Sequence, residues 1–117
     1  MRPRVLIVDG HAAFRESASA LLEAEGFDVV GEAADGEEAI TEVERLRPEI
    51  VLVDIQLPGL DGFGVAERLA GAADSPAVIL ISSRDPRAYG ARVGAAPVRG
   101  FLAKRSLSGA ALARLVR

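Results

Sequence analysis

The stretch EIVLVDIQLPGLDGF, residues 49–63, contains a strand, an acid at the end of that strand and a turn. The aliphatic run before Asp54 predicts a parallel strand, because a strand that helices cover on both sides has no polar face. Pro58, Gly59 and Gly62 then supply the fixed and permissive backbone angles of a turn. A short helix is predicted after the turn, around residues 65–72. The stretch is therefore one strand–turn–helix unit with a carboxylate at the carboxyl end of its strand.

The same unit recurs along the whole chain. Strands are predicted at residues 4–8, 27–33, 49–54, 77–82 and 98–104, and helices at residues 13–25, 35–48, 65–72, 87–93 and 106–117. Asp35 is the expected N-cap of the second helix and Ser106 that of the last one. The alternation predicts an α/β protein with a parallel sheet. With 117 residues and neither a linker nor a repeat, we expect one domain over residues 1–117.

Composition narrows the class of protein. There is no cysteine, and no apolar run approaches the roughly 20 residues of a membrane span, so we expect a cytoplasmic protein without a membrane partner. Residues 1–60 hold 13 acids and 5 bases, whereas residues 61–117 hold 4 acids and 9 bases. The arginines of the basic half are scattered and no aromatic residues interleave with them. Direct binding to nucleic acid is therefore not expected.

Polar residues stand at the ends of four of the five predicted strands: Asp9, Asp54, Ser82 and Lys104. In an open parallel sheet, ligands bind outside the carboxyl ends of the strands, where the strand order reverses. An aspartate can attack phosphorus as a nucleophile, and phosphoryl transfer needs positive charge around the transferred group. Lys104 supplies such a charge, Ser82 a hydrogen-bond donor, and Asp9 an oxygen ligand suited to Mg²⁺. The set predicts a site for phosphoryl chemistry.

Four segments carry a resemblance to a known family: VLIVDGH, VLVDIQLPGLDGFGVAERL, VILISSRD and GFLAKRSL. In this order and at this spacing, the chain resembles the receiver domain of bacterial two-component response regulators over essentially all of its length. It looks most like receivers that precede helix-turn-helix output domains. The resemblance implies a flavodoxin-like doubly wound (βα)5 fold, with a five-stranded parallel sheet in the order 2-1-3-4-5.

The resemblance also implies a phosphorelay site. Asp54 corresponds to the phosphoacceptor, which receives a phosphoryl group from a histidine of a sensor kinase. Asp9, Asp54 and the backbone carbonyl of Gln56 correspond to the ligands of Mg²⁺. Such a domain is a signalling phosphoprotein rather than an enzyme, with at most self-catalysed phosphotransfer and dephosphorylation.

A second group of residues matches the family's switch. Ser82 corresponds to the hydroxyl that moves toward the new phosphate, Lys104 to the phosphate-binding lysine, and Phe101 to an aromatic side chain that changes rotamer with the hydroxyl. This change reshapes the face formed by the fourth helix, the fifth strand and the fifth helix. Implied partners are a sensor histidine kinase, a second copy bound through that face, and a C-terminal DNA-binding effector domain that regulates transcription.

Two positions depart from the family pattern. The family usually has two consecutive acids after the first strand, and here Gly10 replaces the second, which is the direct metal ligand. One carboxylate fewer is expected to weaken Mg²⁺ binding or to abolish it. Arg105 stands where a proline is common, so the geometry of the Lys104–Arg105 bond is left open. His11 is the single histidine, and we interpret it as structural or solvent-exposed.

Two alternatives use the same fold. The first is an atypical pseudo-receiver, suggested by Gly10, that serves as an interaction or dimerisation module without phosphorylation. The second is a small flavodoxin-like ligand binder or enzyme that uses the same edge of the sheet. The glycines of GLDGFG, residues 59–64, have the wrong spacing and place for a dinucleotide fingerprint, which disfavours the second alternative.

Overall fold

The structure is a computed structural model, and it describes residues 2–72 and 74–117. In these residues, five strands alternate with five helices. The strands are β1 (Arg4–Val8), β2 (Asp28–Ala33), β3 (Ile50–Asp54), β4 (Ala77–Ser82) and β5 (Gly100–Ala103). The helices are α1 (Ala12–Ala24), α2 (Gly36–Leu46), α3 (Gly62–Ala70), α4 (Ala91–Ala95) and α5 (Gly109–Val116). Short 3₁₀ turns at Pro86–Tyr89 and Lys104–Ser106 follow β4 and β5.

All five strands pair in parallel in the order β2-β1-β3-β4-β5. This confirms the predicted flavodoxin-like doubly wound α/β fold. The chain runs from β1 to β2 on one side and then returns to β3 on the other side. The strand order therefore reverses between β1 and β3, and a crevice opens there at the carboxyl ends of the two strands.

The sheet separates two hydrophobic cores, because successive side chains of a strand point to opposite faces. The α1/α5 core consists of Val5, Ile7, Ala18, Leu22, Phe27, Ile50, Leu52, Ile79, Ile81 and Leu112. The α2/α3 core consists of Leu6, Val8, Ala33, Ala39, Val51, Val53, Ile55, Phe63, Val65, Ala66, Leu69, Val78 and Leu80. Burial on both faces explains why β1 and β3 are continuous aliphatic runs. No helix among the described residues is long and apolar enough to cross a membrane.

Two helices begin elsewhere than predicted, because a different side chain caps each of them. α3 begins at Gly62, not near residue 65, since the Asp61 carboxylate accepts a hydrogen bond from the Gly64 N–H at 2.9 Å. α5 begins after Ser108, whose hydroxyl accepts a hydrogen bond from the N–H of Ala111 at 3.0 Å. Ser106, the predicted cap, lies in the preceding 3₁₀ turn. The correction for α5 concerns two neighbouring serines that could serve equally well as N-caps, whereas no cap was predicted for α3.

The helix predicted at residues 87–93 is divided into two short pieces. A 3₁₀ turn ends at Tyr89, and α4 begins after Gly90, whose φ of 58° interrupts the helix. Neither piece contains a buried residue. The second helix starts as predicted, since the Asp35 carboxylate accepts a hydrogen bond from Glu38 N–H at 2.8 Å. The Lys104–Arg105 bond is trans, like the other described peptide bonds.

Gly62 brings the start of α3 into contact with the end of β3. Its N–H donates a hydrogen bond to the Ile55 carbonyl at 2.9 Å. A Cβ at this position would lie 2.5 Å from the Asp54 carbonyl oxygen and 2.8 Å from the Ile55 Cα. Both are backbone atoms, which cannot rotate away as a side chain can. The absence of a side chain at Gly62 is therefore part of what fixes the backbone of Asp54.

We predict that Gly62→Ala lowers the free energy of unfolding by about 1–3 kcal/mol, the usual cost of overpacking a rigid site. Gly71→Ala is the matched control, because its Cβ would meet nothing within 4 Å and its φ is −81°. This control is expected to be neutral or to raise stability by about 0.4–1 kcal/mol. Urea denaturation of both variants measures the difference, and equal effects would contradict the close contact.

Candidate functional site

Asp9 and Asp54 lie side by side at the carboxyl ends of the two central strands. Val8 of β1 pairs with Val53 of β3, so the residues that follow them occupy neighbouring positions. Asp54 is the last residue of β3 and Asp9 comes directly after β1. Their exposed fractions are 4% and 0%. Two carboxylates are thus buried at the point where the strand order reverses.

The Lys104 ammonium group bridges the two carboxylates. Its Nζ lies 2.6 Å from Asp9 Oδ2 and 3.1 Å from Asp54 Oδ2. The side chain extends from the residue after β5, and the Nζ also lies 4.4 Å from the centre of the Phe14 ring, within cation–π distance. Phe14 belongs to α1 and also packs against the α1/α5 core, and its contact with the lysine was not predicted. The spacing of apolar residues in a helix cannot show whether a ring packs in the core, contacts a cation, or does both.

The other oxygen of each carboxylate accepts hydrogen bonds from the loop that follows its strand. Asp9 Oδ1 accepts from the His11 N–H at 2.8 Å and also lies 3.1 Å from His11 Nδ1. Asp54 Oδ1 accepts from the Gln56 N–H at 3.1 Å. The structure therefore brings Gln56 to the site through its N–H, while the predicted role of its carbonyl remains a prediction. The His11 ring is largely exposed, with 79% of its side-chain surface accessible.

The pKa values of Asp9 and Asp54 move in opposite directions. Burial disfavours the ionised form of each carboxyl. At Asp9, the Lys104 ammonium and the His11 N–H outweigh burial, and the pKa lies below its ordinary value. At Asp54, burial and the charge of Asp9 outweigh the Gln56 N–H and Lys104, and the pKa lies above its ordinary value. Burial alone would lower the pKa of Lys104, but the two carboxylates raise it.

Ser82 is the last residue of β4, the strand that pairs with β3. It is fully buried, and its strand pairs with β3 on one side and with β5 on the other. Its Oγ accepts a hydrogen bond from the Arg84 N–H at 3.0 Å and is hydrogen-bonded to the Tyr89 hydroxyl at 2.9 Å. Phe101, the aromatic residue of the predicted switch, is half-buried and packs against the α2/α3 core. Tyr89 was not predicted, because nothing in the local sequence shows that its hydroxyl meets Ser82.

Gly10 is exposed and has space for a side chain. A Cβ at this position would have the Ala34 carbonyl oxygen, at 3.7 Å, as its nearest neighbour, which is an ordinary van der Waals distance. Its φ is not among the positive values that favour glycine. Neither packing at the Cβ position nor backbone conformation therefore requires glycine at this position.

The donor set fits a divalent cation. Ligand atoms of Asp9, His11 and Asp54 all lie within 4.8 Å of one another. Asp9 Oδ2 is buried and, although Lys104 pairs with it as an ion, it accepts no hydrogen bond of normal geometry. A buried carboxylate oxygen that is paired with one ammonium group can also serve as a ligand of a cation. By contrast, a groove of about 510 Å³ near Val43 and Pro48 lies at the amino end of β3 and contains none of these groups.

Residues 5–116 match the family described as the response regulator receiver domain. The chain belongs to this family. The DNA-binding response regulator MtrA of Mycobacterium tuberculosis is 41% identical over 87 residues, which are 73% of this receiver and 37% of MtrA. Protein-glutamate methylesterase/protein-glutamine glutaminase 5 of Myxococcus xanthus is 44% identical over 81 residues, 68% of this receiver and 23% of that protein. The receiver spans about a quarter to about half of the length of the curated relatives it matches.

Solved receivers share its fold over nearly the whole chain. The signal receiver domain of the response regulator NarL of Mycobacterium tuberculosis has a TM-score of 0.88 at 32% identity, covering 98% of this receiver and 96% of that chain. The chemotaxis response regulator CheY4 of Vibrio cholerae has a TM-score of 0.86 at 21% identity, covering 98% and 99%, a likeness that concerns the fold. The family assigns this chain to two-component signalling.

We predict that Lys104→Met lowers the free energy of unfolding at neutral pH by up to about 3–5 kcal/mol, because it leaves two buried carboxylates without a counter-charge. In an Asp54→Asn background the loss is smaller, since only one carboxylate remains. Arg105→Met is the control: this exposed neighbour is expected to stay within about 0.5 kcal/mol of the wild type. Urea denaturation of the variants checks the order, and similar losses for Lys104→Met and Arg105→Met would contradict the bridging role.

Proposed function

We propose that this receiver accepts a phosphoryl group on Asp54 from a phosphohistidine of a sensor kinase. An Asp54 carboxylate oxygen forms the new bond to phosphorus, the phosphorus–nitrogen bond breaks, and the histidine leaves with that electron pair and takes up a proton. The observation that carries the proposal is the bridge from Lys104 Nζ to Asp9 and Asp54, in a chain that belongs to the receiver family. That bridge puts a fixed positive charge beside the oxygen that is to react.

The surrounding residues support each requirement of phosphoryl transfer. The Gln56 N–H holds one Asp54 oxygen at 3.1 Å and so orients the carboxylate. Lys104 offsets the charge that the phosphoryl oxygens bring into the pocket. Ser82 is the hydroxyl that would donate a hydrogen bond to one of these oxygens. Burial of Asp54 excludes water, which strengthens each of these electrostatic interactions.

A divalent cation, which we take to be Mg²⁺, belongs to this proposal. Asp9, Asp54 and the backbone carbonyl of Gln56 are the groups that would hold it. When bound, the ion offsets the negative charge of the phosphoryl oxygens. With Gly10 in place of the usual acid, we expect its affinity to be lower than in receivers with three carboxylates.

The partners of the switch follow from the same proposal. α4, β5 and α5 form the face that we expect to change on phosphorylation and to mediate a homodimer. The relative MtrA is by name a DNA-binding response regulator, and this receiver matches 37% of its length. We therefore propose a C-terminal DNA-binding effector domain, a role in transcription regulation and a cytoplasmic location.

Phosphorylation is tested with a small phosphodonor and Mg²⁺, followed by intact mass spectrometry. We expect one phosphoryl group on the wild type and none on Asp54→Asn, because the nucleophile is gone. Asp28→Asn, which alters an exposed acid at the start of β2, is expected to react like the wild type. A wild type without adduct would favour the pseudo-receiver, a module that works without phosphate. An adduct that persists in Asp54→Asn would refute the assignment of Asp54.

Metal affinity is tested by restoring the missing acid. Gly10→Asp is expected to tighten Mg²⁺ binding by at least the roughly 10- to 100-fold that even outer-shell partners contribute. Calorimetric titration of the unphosphorylated protein measures it. Gly71→Asp adds the same charge at an exposed glycine away from the site and is expected to change little. His11→Ala is also expected to change little, because Mg²⁺ prefers oxygen ligands. Equal tightening in both aspartate variants would show that general charge, not a new ligand, is responsible.

A further inference from the structure

We propose that Tyr89 is a positioning residue that holds the Ser82 hydroxyl in its resting orientation, and that phosphorylation of Asp54 breaks this contact. The inference rests on the proposed function of Asp54. It concerns a different aromatic residue from Phe101, whose hydrocarbon ring has no group that can hydrogen-bond to Ser82. The observation that supports it directly is the 2.9 Å hydrogen bond between Ser82 Oγ and the Tyr89 hydroxyl.

In the resting structure, Ser82 is directed to partners other than Asp54. Its Oγ is hydrogen-bonded to the Arg84 N–H and to the Tyr89 hydroxyl, and among the described residues no hydrogen bond joins it to Asp54. To reach a phosphoryl oxygen the hydroxyl changes rotamer, which moves Oγ by about 2 Å. A hydrogen bond of 2.9 Å does not survive such a displacement. The bond to Tyr89 and a bond to the phosphoryl group therefore exclude each other.

Tyr89 is held on α3 by its ring. The Tyr89 and Phe63 rings meet edge to face, with centroids 5.9 Å apart and planes at 64°. Phe63 is 3% exposed and belongs to the α2/α3 core. The Arg92 guanidinium of α4 lies 4.1 Å from the centre of the Phe63 ring and 3.6 Å from the Asp61 carboxylate. The tyrosine thus connects the end of β4 to the start of α3 and, through Phe63, to α4.

The segment that carries Tyr89 is loosely attached to the rest of the molecule. Residues 86–95 comprise a 3₁₀ turn and a five-residue helix, and neither contains a buried residue. Gly90, with its positive φ, and Gly94 lower the helical preference further. Segments with few buried contacts open at low free-energy cost. The contact between Ser82 and Tyr89 is one of the contacts that hold this segment, beside the packing of Tyr89 and Val93 on the α2/α3 core, and its loss weakens the attachment of the segment.

The chain contains a single tyrosine, so a signal from labelled tyrosine can be assigned to Tyr89 without mutation. We expect the ¹³Cζ NMR resonance of labelled tyrosine to shift in Ser82→Ala, because the phenol loses its partner. Ser83→Ala alters the exposed neighbour and should leave the resonance in place. Beryllofluoride with Mg²⁺, a mimic of the phosphoryl group, should move the wild-type resonance toward its position in Ser82→Ala. An unmoved resonance in either experiment overturns the inference.

Tyr89→Phe removes the hydroxyl and keeps the ring that packs on Phe63. We expect it to tighten beryllofluoride binding about fivefold in calorimetry, the equilibrium factor of one net hydrogen bond. In a Ser82→Ala background the same substitution should have no effect, which a purely structural role of the ring would not produce. Weaker binding, or an equal effect in both backgrounds, overturns the inference.

Intact mass spectrometry with a phosphodonor separates this inference from the proposed function. If the wild type takes up a phosphoryl group while the tyrosine resonance stays unchanged, only the role of Tyr89 is refuted. If both take up the group and Tyr89→Phe takes up more of it than the wild type, the restraint by Tyr89 is supported. If neither takes it up and neither binds beryllofluoride, Ser82 has no phosphoryl group to reach, and both proposals are overturned.

Discussion

Two carboxylates buried side by side repel each other and lose their hydration, and the ammonium group of Lys104 offsets both costs. The rest of the architecture has to allow this one contact. Asp9 and Asp54 follow adjacent strands, whereas Lys104 follows β5, which β4 separates from β3. A long side chain is needed to span that distance, and the Phe14 ring lies beside its charged end. The order of the strands and the length of one side chain are thus linked.

Lys104 and a divalent cation compete for the same carboxylates. A receiver with three acids and one lysine has a formal pocket charge of −2, which one bound divalent cation would neutralise. Gly10 leaves two acids, a charge of −1, so the lysine alone compensates half of the negative charge. The unphosphorylated pocket is therefore closer to electroneutrality, and its resting state depends less on a bound ion. Close packing does not account for glycine at this position, because a Cβ there would meet its nearest neighbour at an ordinary van der Waals distance.

The sequence predicts the fold well because its patterns are local. Aliphatic runs mark β1, β3 and β4 with little error, since burial on both faces permits no other composition. Two helix starts were less well predicted, because Ser108 looks equivalent to Ser106 as a cap in the sequence and the capping role of Asp61 was not recognised. The polar strand ends predicted that Asp9, Asp54, Ser82 and Lys104 converge at one edge of the sheet. Lys104 contacts both carboxylates, whereas the Ser82 hydroxyl is hydrogen-bonded to Arg84 and Tyr89 instead. The contacts of Phe14 and Tyr89 were missed, since both join residues that only the folded chain brings together.

The two hydrophobic cores have a mechanical consequence. Tyr89, Val93 and Phe101 all pack against the α2/α3 core, whereas Phe14 and Leu102 pack against the α1/α5 core. The sheet separates the two cores, because successive side chains of its strands point to opposite faces. A rearrangement around α4 can loosen one half of the interior while the other half stays packed. The molecule can therefore change one surface without first giving up the cooperativity of its fold.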